Sequence, residues 1–349
     1  MKLKGIKIVL FFLILVFPIM GMDDFKLINQ WDHGEQIFGR ICISTIDKDG
    51  DVLVGFYKSG IRLITPEKII AFAPIGEGPN EVIDFRSFVH YKGDIVIFEW
   101  SDKGKIFTKK DNTYVLKEIL WFKRGQFPHF VTDVFFSDNK WFFAGMANLN
   151  FHPKISKICY LKAFDSNRMP LKIMLKDEFK GVNQKELMNF YLAGYKNRLF
   201  FFTENELKAT VISIKDLEVL NTKDLEAPGF YKPMPPDFYS NKRYSNPVRE
   251  MIADIEHWKT SYTRIVKVLV EGNYLVLQLR TCDNKLKKFC LLFYNVDNLK
   301  LEKTIFIDDF LMGSKDGKYY FYANGKPSLD DDTGNCIINI YTFKKGNGK

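Results

Sequence analysis

Residues 46–56 read IDKDGDVLVGF, which is a short apolar run, a polar turn at Asp49-Gly50 and a second apolar run. The same arrangement returns five times, and aromatic side chains are present in the second run of every copy. The later copies are VHYKGDIVIFEW at 89–100, FFSDNKWFFAGM at 135–146, AGYKNRLFFFTE at 193–204, VLVEGNYLVLQL at 268–279 and GSKDGKYYFYA at 313–323. Asp-Gly between apolar runs is a strong β-hairpin signal. Recurrence at this scale predicts a repeat architecture.

The spacing of the six turns indicates which repeat architecture is present. From Gly50 to Gly317 the intervals are 43, 46, 58, 75 and 45 residues, and three of them match the roughly 40–50 residues of a propeller blade. The apolar runs are nearly continuous, as expected of strands buried on both faces. We therefore predict an all-β fold, a six-bladed β-propeller built from four-stranded antiparallel blades.

The last repeat predicts how the ring closes. It supplies only three strands, at 310–315, 319–323 and 336–344, whereas residues 24–31 are strand-like and belong to no other blade. Pairing 24–31 with 336–344 would remove an exposed sheet edge. We predict one domain over residues 22–349, closed by its N-terminal strand.

One insertion, at about residues 227–262, separates the fourth and fifth repeats. Residues 227–247 read APGFYKPMPPDFYSNKRYSNP, and their five prolines exclude a regular strand ladder. Apolar residues at helical spacing follow, which predicts a short amphipathic helix over 248–260. Loops of this length in compact domains are often functional.

The first 21 residues are typical of a secretory signal peptide. Three lysines precede an apolar stretch at 8–20 that is too short to span a bilayer comfortably. We therefore expect a secreted or periplasmic protein of the cell envelope, which would contact the membrane only if this leader stays uncleaved. The chain carries a net charge of +9, but its basic residues are scattered, so we predict no nucleic-acid partner.

Five cysteines occur without a CxxC motif, which argues against a zinc site. Cys282 and Cys290 flank the segment DNKLKKF and would face each other if that segment were a hairpin loop. Two interpretations stay open, a disulfide in an oxidising compartment or two unpaired strand cysteines.

The segment between the first and second repeats carries a family resemblance. Gly76–Glu81 reads GEGPNE, and 37–40 read IFGR ahead of the first inner strand. Together with the repeats, these features resemble the secreted bacterial six-bladed β-propeller proteins related to the NHL group, which have a G-x-G-P-x-E segment at this blade junction. Asn80 stands where that family often has glycine. The resemblance implies the fold and secretion but no single activity.

Candidate chemistry is sparse. We interpret Gly76–Glu81 as a turn, with anion binding by its backbone as the alternative. Asp47-Lys48-Asp49-Gly50-Asp51 has a calcium-like rhythm that a hairpin turn explains better, and no HExxH or GxSxG motif occurs. We predict no catalytic residue, metal or cofactor. Junction carboxylates keep one enzymatic alternative open, a lactonase-like metal-assisted hydrolase or lyase acting in the central channel; they are Glu35, Glu77, Glu81, Asp308 and Asp309.

The favoured hypothesis is a monomeric, non-catalytic binding or scaffold propeller that recognises a protein, peptide or glycan. Its site would be the face where the blades join, together with the aromatic, proline-rich insertion, because Tyr and Arg are good interface anchors. The candidate ligand-binding residues are Glu77, Asn80, Glu81, Arg124, His129, Tyr231, Phe238, Tyr239, Arg243 and Tyr244.

Overall fold

The computed structural model describes residues 25–37, 41–57, 59–83, 85–99, 103–122, 130–152, 155–179, 189–235, 257–283, 285–323 and 333–343. Within these ranges the chain forms six four-stranded antiparallel sheets, each one a blade. The predicted six-bladed β-propeller is therefore confirmed.

Each blade is a meander that runs outward from the ring axis, and five of the six blades are continuous in sequence. The strands of blade 1 are β2 (Ile41–Ile46), β3 (Val52–Phe56), β4 (Gly60–Ile64) and β5 (Ile69–Ala73). Those of blade 2 are β6 (Phe85–Tyr91), β7 (Asp94–Glu99), β8 (Lys103–Lys110) and β9 (Thr113–Trp121). Those of blade 3 are β10 (Phe130–Ser137), β11 (Lys140–His152), β12 (Ile155–Asp165) and β13 (Pro170–Phe179).

Blades 4 to 6 continue around the ring. Blade 4 contains β14 (Phe190–Tyr195), β15 (Arg198–Thr203), β16 (Lys208–Ser213) and β17 (Glu218–Asp224). Blade 5 contains β18 (Arg264–Glu271), β19 (Tyr274–Arg280), β20 (Phe289–Asn295) and β21 (Leu301–Ile307). Blade 6 contains β22 (Phe310–Lys315), β23 (Lys318–Tyr322), β24 (Thr333–Phe343) and, as its outer strand, β1 (Phe25–Ile37).

The pairing of β1 with β24 closes the ring as predicted. It runs antiparallel from Phe25 opposite Phe343 to Ile37 opposite Thr333, so it is longer than the strand expected from sequence. The ring of Phe25 stacks on that of Tyr341 at 5.0 Å between centroids. Because β1 covers the outer edge of β24, blade 6 has the same four strands as the other blades.

The core lies between the blades. Six clusters of buried apolar side chains each join two neighbouring blades, and together they run once around the ring. The six inner strands β2, β6, β10, β14, β18 and β22 also contact one another in this order and return to β2. Interleaved side chains such as Phe98, Trp141 and Phe143 explain why the apolar runs lack a polar face.

The ring has two faces. The junction face carries the starts of the inner strands and the connections that lead into them, whereas the turn face carries the first hairpin turn of each blade. Backbone conformations at the turns explain their sequence: Lys92 and Gly93 have φ of 50° and 87°, and Asp138 and Asn139 have φ of 49° and 55°. These left-handed conformations suit Gly, Asn and Asp.

The insertion between blades 4 and 5 is described at its two ends. Residues 227–235 cross the junction side of these blades, and residues 257–261 form a helical turn, where a helix over 248–260 was predicted. Trp258 in this turn is fully buried. Residues 236–256 lie outside the described part of the chain.

Candidate functional site

The Gly76–Glu81 segment on the junction face is closed on itself. The Glu81 carboxylate accepts a hydrogen bond from the backbone N–H of Gly78 at 2.7 Å. The buried ammonium of Lys105 donates to the carbonyl of Gly78 at 3.2 Å and also to the carbonyl of Glu81. The Glu81 carboxylate is thus hydrogen-bonded within its own loop, which agrees with the interpretation of this segment as a turn. Glu77 and Asn80 are exposed.

Tyr231 is a half-buried residue that anchors the start of the insertion. Its hydroxyl donates to the carbonyl of Asn205 at 3.1 Å, and its ring packs against the core between blades 4 and 5. Burial raises the pKa of Tyr231 to about 12. The other predicted site residues lie outside the described part of the chain, namely Arg124, His129, Phe238, Tyr239, Arg243 and Tyr244.

Cys282 and Cys290 are both free thiols, so the structure does not contain the disulfide that was one of the two interpretations. The strand register gives the reason, since β19 and β20 place Cys290 opposite Leu279, three residues before Cys282. The Cys282 sulfur instead lies 3.7 Å from the hydroxyl of Thr263. Burial raises the pKa of the Cys290 thiol far above its usual value.

The calcium-like Asp47–Asp51 turn is filled by a lysine. The ammonium of Lys109 lies 2.8 Å from a carboxylate oxygen of each of Asp47, Asp49 and Asp51. The hydroxyl of Tyr114 donates to Asp47 at 3.0 Å. Although burial opposes it, the hydrogen bond from Lys109 and two backbone N–H groups lower the pKa of Asp47. The hairpin interpretation fits this arrangement, with Lys109 where a cation would sit.

A polar cluster on the inner strands was not predicted from the sequence. Asp133 of blade 3 accepts hydrogen bonds from the hydroxyl of Ser87 in blade 2 at 3.0 Å and from the N–H of Leu192 in blade 4 at 2.8 Å. Opposite it, the ammonium of Lys267 in blade 5 donates to the carbonyl of Ser44 in blade 1 at 2.7 Å. We call Ser44, Ser87, Asp133 and Lys267 the axial cluster.

Burial perturbs both charged members of the axial cluster. Burial raises the pKa of Asp133 to about 6. The three hydrogen bonds that its carboxylate accepts oppose this shift, and the third of them comes from the N–H of Val134. Burial lowers the pKa of Lys267 to about 8, against the attraction of Asp133. Every hydrogen bond of this cluster joins inner-strand groups. The bonds form two sets, one across blades 2, 3 and 4 and one across blades 5, 1 and 6, in which the Ser44 hydroxyl donates to Met312 of blade 6.

β-Bulges place the axial cluster. Five of the six inner strands shift register near their start, and the residues paired after the shift are Ile43, Ser87, Asp133, Lys267 and Gly313. Bulges re-aim side chains and are frequent at functional rims. The sequence does contain one signal for this cluster. Ser87, Asp133 and Lys267 each lie four positions before the last paired residue of their inner strand. Alignment of the repeats on their turns would have revealed this polar column.

Two arginines face each other at the junction end of blade 5. Arg264 of β18 is directly opposite Arg280 of β19. Arg264 donates to the fully buried carboxylate of Glu204 at 2.6 Å, and the other oxygen of Glu204 accepts from the backbone and side-chain amides of Asn189 at 3.0 and 2.9 Å. Glu204 therefore neutralises one guanidinium and fixes the connection into blade 4.

Arg280 lacks an equivalent counter-charge. Within the described ranges, no carboxylate forms a salt bridge with it, and the Nε of Arg264 also lacks a hydrogen-bond partner. Burial and then the charge of Arg264 lower the pKa of Arg280. Like charges directly opposite each other on two strands are destabilising. Among the described residues, the arginine pair therefore carries one positive charge that Glu204 does not offset, at a half-buried position.

No group of three or more His, Cys, Asp or Glu side chains in the described ranges is arranged to hold a metal ion. The junction carboxylates there have other partners: Asp309 accepts from the side-chain amide of Asn339 at 2.8 Å, and Asp308 lies 3.5 Å from the ammonium of Lys287. No helix among the described residues is long and apolar enough to cross a membrane.

Comparison with known proteins identifies the fold and no family. No protein-family model matches the chain, and no curated protein matches its sequence. A solved protein from Bacteroides fragilis, described as exported, is 14% identical with a TM-score of 0.59, covering 93% of this chain and 96% of its own. The WD40 propeller domain of Doa1 is 10% identical with a TM-score of 0.44, and the match covers 92% of this chain and 98% of that domain. BamB from Moraxella catarrhalis is 7% identical with a TM-score of 0.43, and the match covers 91% of this chain and 100% of BamB. The chain is thus similar in fold to the B. fragilis protein, and the likeness to the NHL-related group stays a prediction.

Proposed function

We propose that this chain is a monomeric, non-catalytic binding propeller of the cell envelope that holds an anionic group of a protein, peptide or glycan on its junction face. Residues 1–21 would direct export and residues 22–349 would form the binding unit. The leader sequence supports this location, and the B. fragilis propeller of similar fold is itself described as exported.

The observation that carries the proposal is the Arg264–Arg280 pair. Two guanidinium groups held opposite each other cost stability unless an anion offsets them, and the described part of the chain supplies one carboxylate for both. Arg280 is partly exposed at the junction end of β19, which supports access for a ligand from that face. Guanidinium groups bind carboxylate, sulfate and phosphate through paired hydrogen bonds.

The insertion supports a partner larger than a free ion. Its first residues, including Phe230 and Tyr231, pack on blades 4 and 5, and the carbonyl of Lys232 accepts a hydrogen bond from the N–H of Thr263, which precedes Arg264. Residues 236–256 follow in the sequence and include Phe238, Tyr239, Arg243 and Tyr244, which remain candidate contacts. Glu77 and Asn80 at the blade 1–2 junction are exposed on the same face and remain candidates too.

The metal-assisted hydrolase or lyase has weaker support. Such an enzyme needs several carboxylate oxygens that converge on one ion. At the junctions, Glu81 is bound to Gly78 and Asp309 to Asn339. On the inner strands, both oxygens of Asp133 already accept hydrogen bonds. These engagements favour structural roles for the carboxylates.

The test is a binding screen with matched acidic and neutral ligands. Purified mature protein is applied to an array of oligosaccharides and peptides in which each acidic member has a neutral counterpart. We expect saturable binding of acidic members only, weakened roughly tenfold or more by Arg280→Gln, since a hydrogen bond to a charged group contributes about 1.5–3 kcal/mol. Arg280 is the chosen site because Arg264→Gln would leave Glu204 buried without its partner.

Two further variants sharpen the screen. Arg168→Gln, in a half-exposed turn on the opposite face of blade 3, removes the same charge and should leave binding unchanged. Deletion of residues 236–246 keeps Phe230, Tyr231 and the buried Met234 in the core and should reduce affinity while the protein stays folded. Binding that is equal for neutral members, or unaffected by Arg280→Gln, would overturn the proposal.

A further inference from the structure

A cavity of about 440 Å³ opens on the turn face between blades 5 and 6, on the side of the ring opposite to the junction face. Its volume lies within the range of small-molecule sites. The hairpin turns of both blades and the end of β24 form its walls. The lining residues are Glu271, Gly272, Asn273, Tyr274, Asn295, Glu302, Gly317, Tyr319, Thr342 and Phe343.

Aromatic rings make up the apolar part of this cavity. The rings of Tyr274 and Tyr319 lie 6.2 and 5.7 Å from that of Phe343, and Tyr319 meets it edge-on. The ammonium of Lys303 already lies 4.2 Å from the centroid of Phe343. One wall of the cavity therefore contains a ring that attracts a cation to its face.

Both charged side chains that line the cavity are carboxylates. Glu271 accepts a hydrogen bond from the N–H of Gly317 at 2.7 Å, and Glu302 accepts from the side-chain amide of Asn295 at 3.0 Å, so both carboxylates are held in place. Within the described ranges neither forms a salt bridge with a lysine or arginine. The charge of the lining residues themselves is therefore that of the two carboxylates, and the ammonium of Lys303 lies at the Phe343 wall.

Burial and the two carboxylates both affect the ionisation of the lining tyrosines. Burial and then Glu302 raise the pKa of Tyr274. Burial and then Glu271 raise the pKa of Tyr319. Burial disfavours a charge of either sign, so only the contributions of Glu302 and Glu271 to these shifts would also favour a bound cation.

We propose that this cavity binds an organic cation, an ammonium group with small alkyl substituents, between the aromatic rings and the carboxylates of Glu271 and Glu302. Aromatic faces and carboxylates together recognise such ions, because the rings contact the alkyl groups and attract the cation while the carboxylates supply the opposite charge. The site lies on the other face of the ring from the arginine pair, so the two proposals stand or fall separately.

The test uses choline as the probe and 3,3-dimethylbutan-1-ol as its uncharged isostere, each titrated into the mature protein and followed by amide chemical shifts. We expect saturable choline binding in the millimolar range, shifts that map to the turns at 271–274 and 315–318, and binding of the isostere at least roughly tenfold weaker. Glu302→Gln, which keeps the shape of an exposed side chain, should weaken choline binding several-fold.

Two controls decide the interpretation. Glu218→Gln on the exposed outer strand of blade 4 should leave the choline affinity unchanged. Tyr274→Leu should weaken it without a change in charge, and circular dichroism verifies that the variant is folded. Equal binding of choline and the isostere, shifts that map elsewhere, or no saturable binding of choline would overturn the proposal.

Discussion

Lys267 and Ser44 join two blades that are not neighbours. The ammonium of Lys267 in blade 5 donates to the carbonyl of Ser44 in blade 1 at 2.7 Å, although blade 6 lies between them in the ring. The hydroxyl of Ser44 in turn donates to the carbonyl of Met312 at 2.8 Å. This link crosses the seam between the two ends of the chain, so it couples blades 5, 6 and 1 at the point where the ring closes.

Replacement of Lys267 by methionine should change how stability depends on alkaline pH. Burial lowers the pKa of Lys267 from 10.5 to about 8, so between these values the unfolded chain binds the extra proton. The free energy of unfolding should therefore rise with pH across this window in the wild type. Urea unfolding at pH 7, 8.5 and 10 measures the rise, and Lys267→Met should remove it. If the free energy of unfolding still rises with pH in Lys267→Met, the rise comes from another group.

Asp133 should produce the opposite trend at acidic pH. Its pKa is raised from 3.8 to about 6, so the folded state binds the extra proton between these values and loses relative stability as the pH rises through them. The full effect is at most about 3 kcal/mol, at 1.36 kcal/mol per pH unit. Asp133→Asn should remove this slope between pH 4 and 6 in urea titrations. If stability falls with pH as steeply in Asp133→Asn as in the wild type, the assignment to Asp133 is wrong.

Ring closure by β1 predicts a large difference between two tryptophans. Trp31 of β1 is 7% exposed and packs edge-on against Tyr320, whereas Trp121 at the end of β9 is 59% exposed. Trp31→Ala should lower the free energy of unfolding by about 3–5 kcal/mol, as for other buried aromatic residues. Trp121→Ala should change it by less than about 0.5 kcal/mol. Chemical denaturation measures both, and similar losses in the two variants would argue against a closing role for β1.

Close packing between blades 3 and 4 depends on Gly194. A methyl group at this position would overlap the ring of Phe135 from the neighbouring blade. Gly194→Ala should therefore cost about 1–3 kcal/mol, the usual penalty for overpacking. Gly229→Ala, whose added methyl would meet no atom within 4 Å, provides the control. Melting temperatures measure the difference, and a Gly194→Ala variant as stable as the control would refute this packing.

The Asp47–Asp51 turn should gain a metal site when its lysine is removed. In the wild type, three carboxylates share the ammonium of Lys109. Lys109→Met removes that ammonium and leaves a set of oxygen ligands suited to Ca²⁺. We expect the variant to be less stable than the wild type and to recover part of the loss on addition of CaCl₂. Thermal unfolding with and without Ca²⁺ measures the recovery, and MgCl₂ controls for ionic strength. Equal responses of wild type and variant to Ca²⁺ would contradict the prediction.

Local signals made the fold predictable. Gly50, Asp138 and Asn139 adopt left-handed backbone conformations, which Gly, Asn and Asp favour, so the hairpins are visible in the sequence itself. The closing strand was predictable by elimination, because blade 6 lacked one strand and residues 24–31 had no other partner. Burial on both faces of the inner strands explained the absence of alternation.

The candidate sites were less predictable because they depend on long-range contacts. Lys267 and Ser44 are 223 residues apart, and Glu204 meets Arg264 across the whole insertion. Bulges near the starts of the inner strands decide which residues form the axial cluster, and the sequence signal for them becomes visible only when the repeats are aligned on their turns. Cys282 and Cys290 illustrate the same point, since the register of β19 and β20, rather than their spacing, keeps the thiols apart.

The central claim, anion binding by the arginine pair, is tested most directly by a sulfate titration at constant ionic strength. Sulfate stabilises proteins in general by exclusion from their surface, so the decisive quantity is the difference between wild type and Arg280→Gln. A ligand that binds only the folded state raises the melting temperature along a saturation curve. We predict such a curve for wild type and Arg168→Gln, and only the shallow general increase for Arg280→Gln. The same increase in all three proteins would contradict the account.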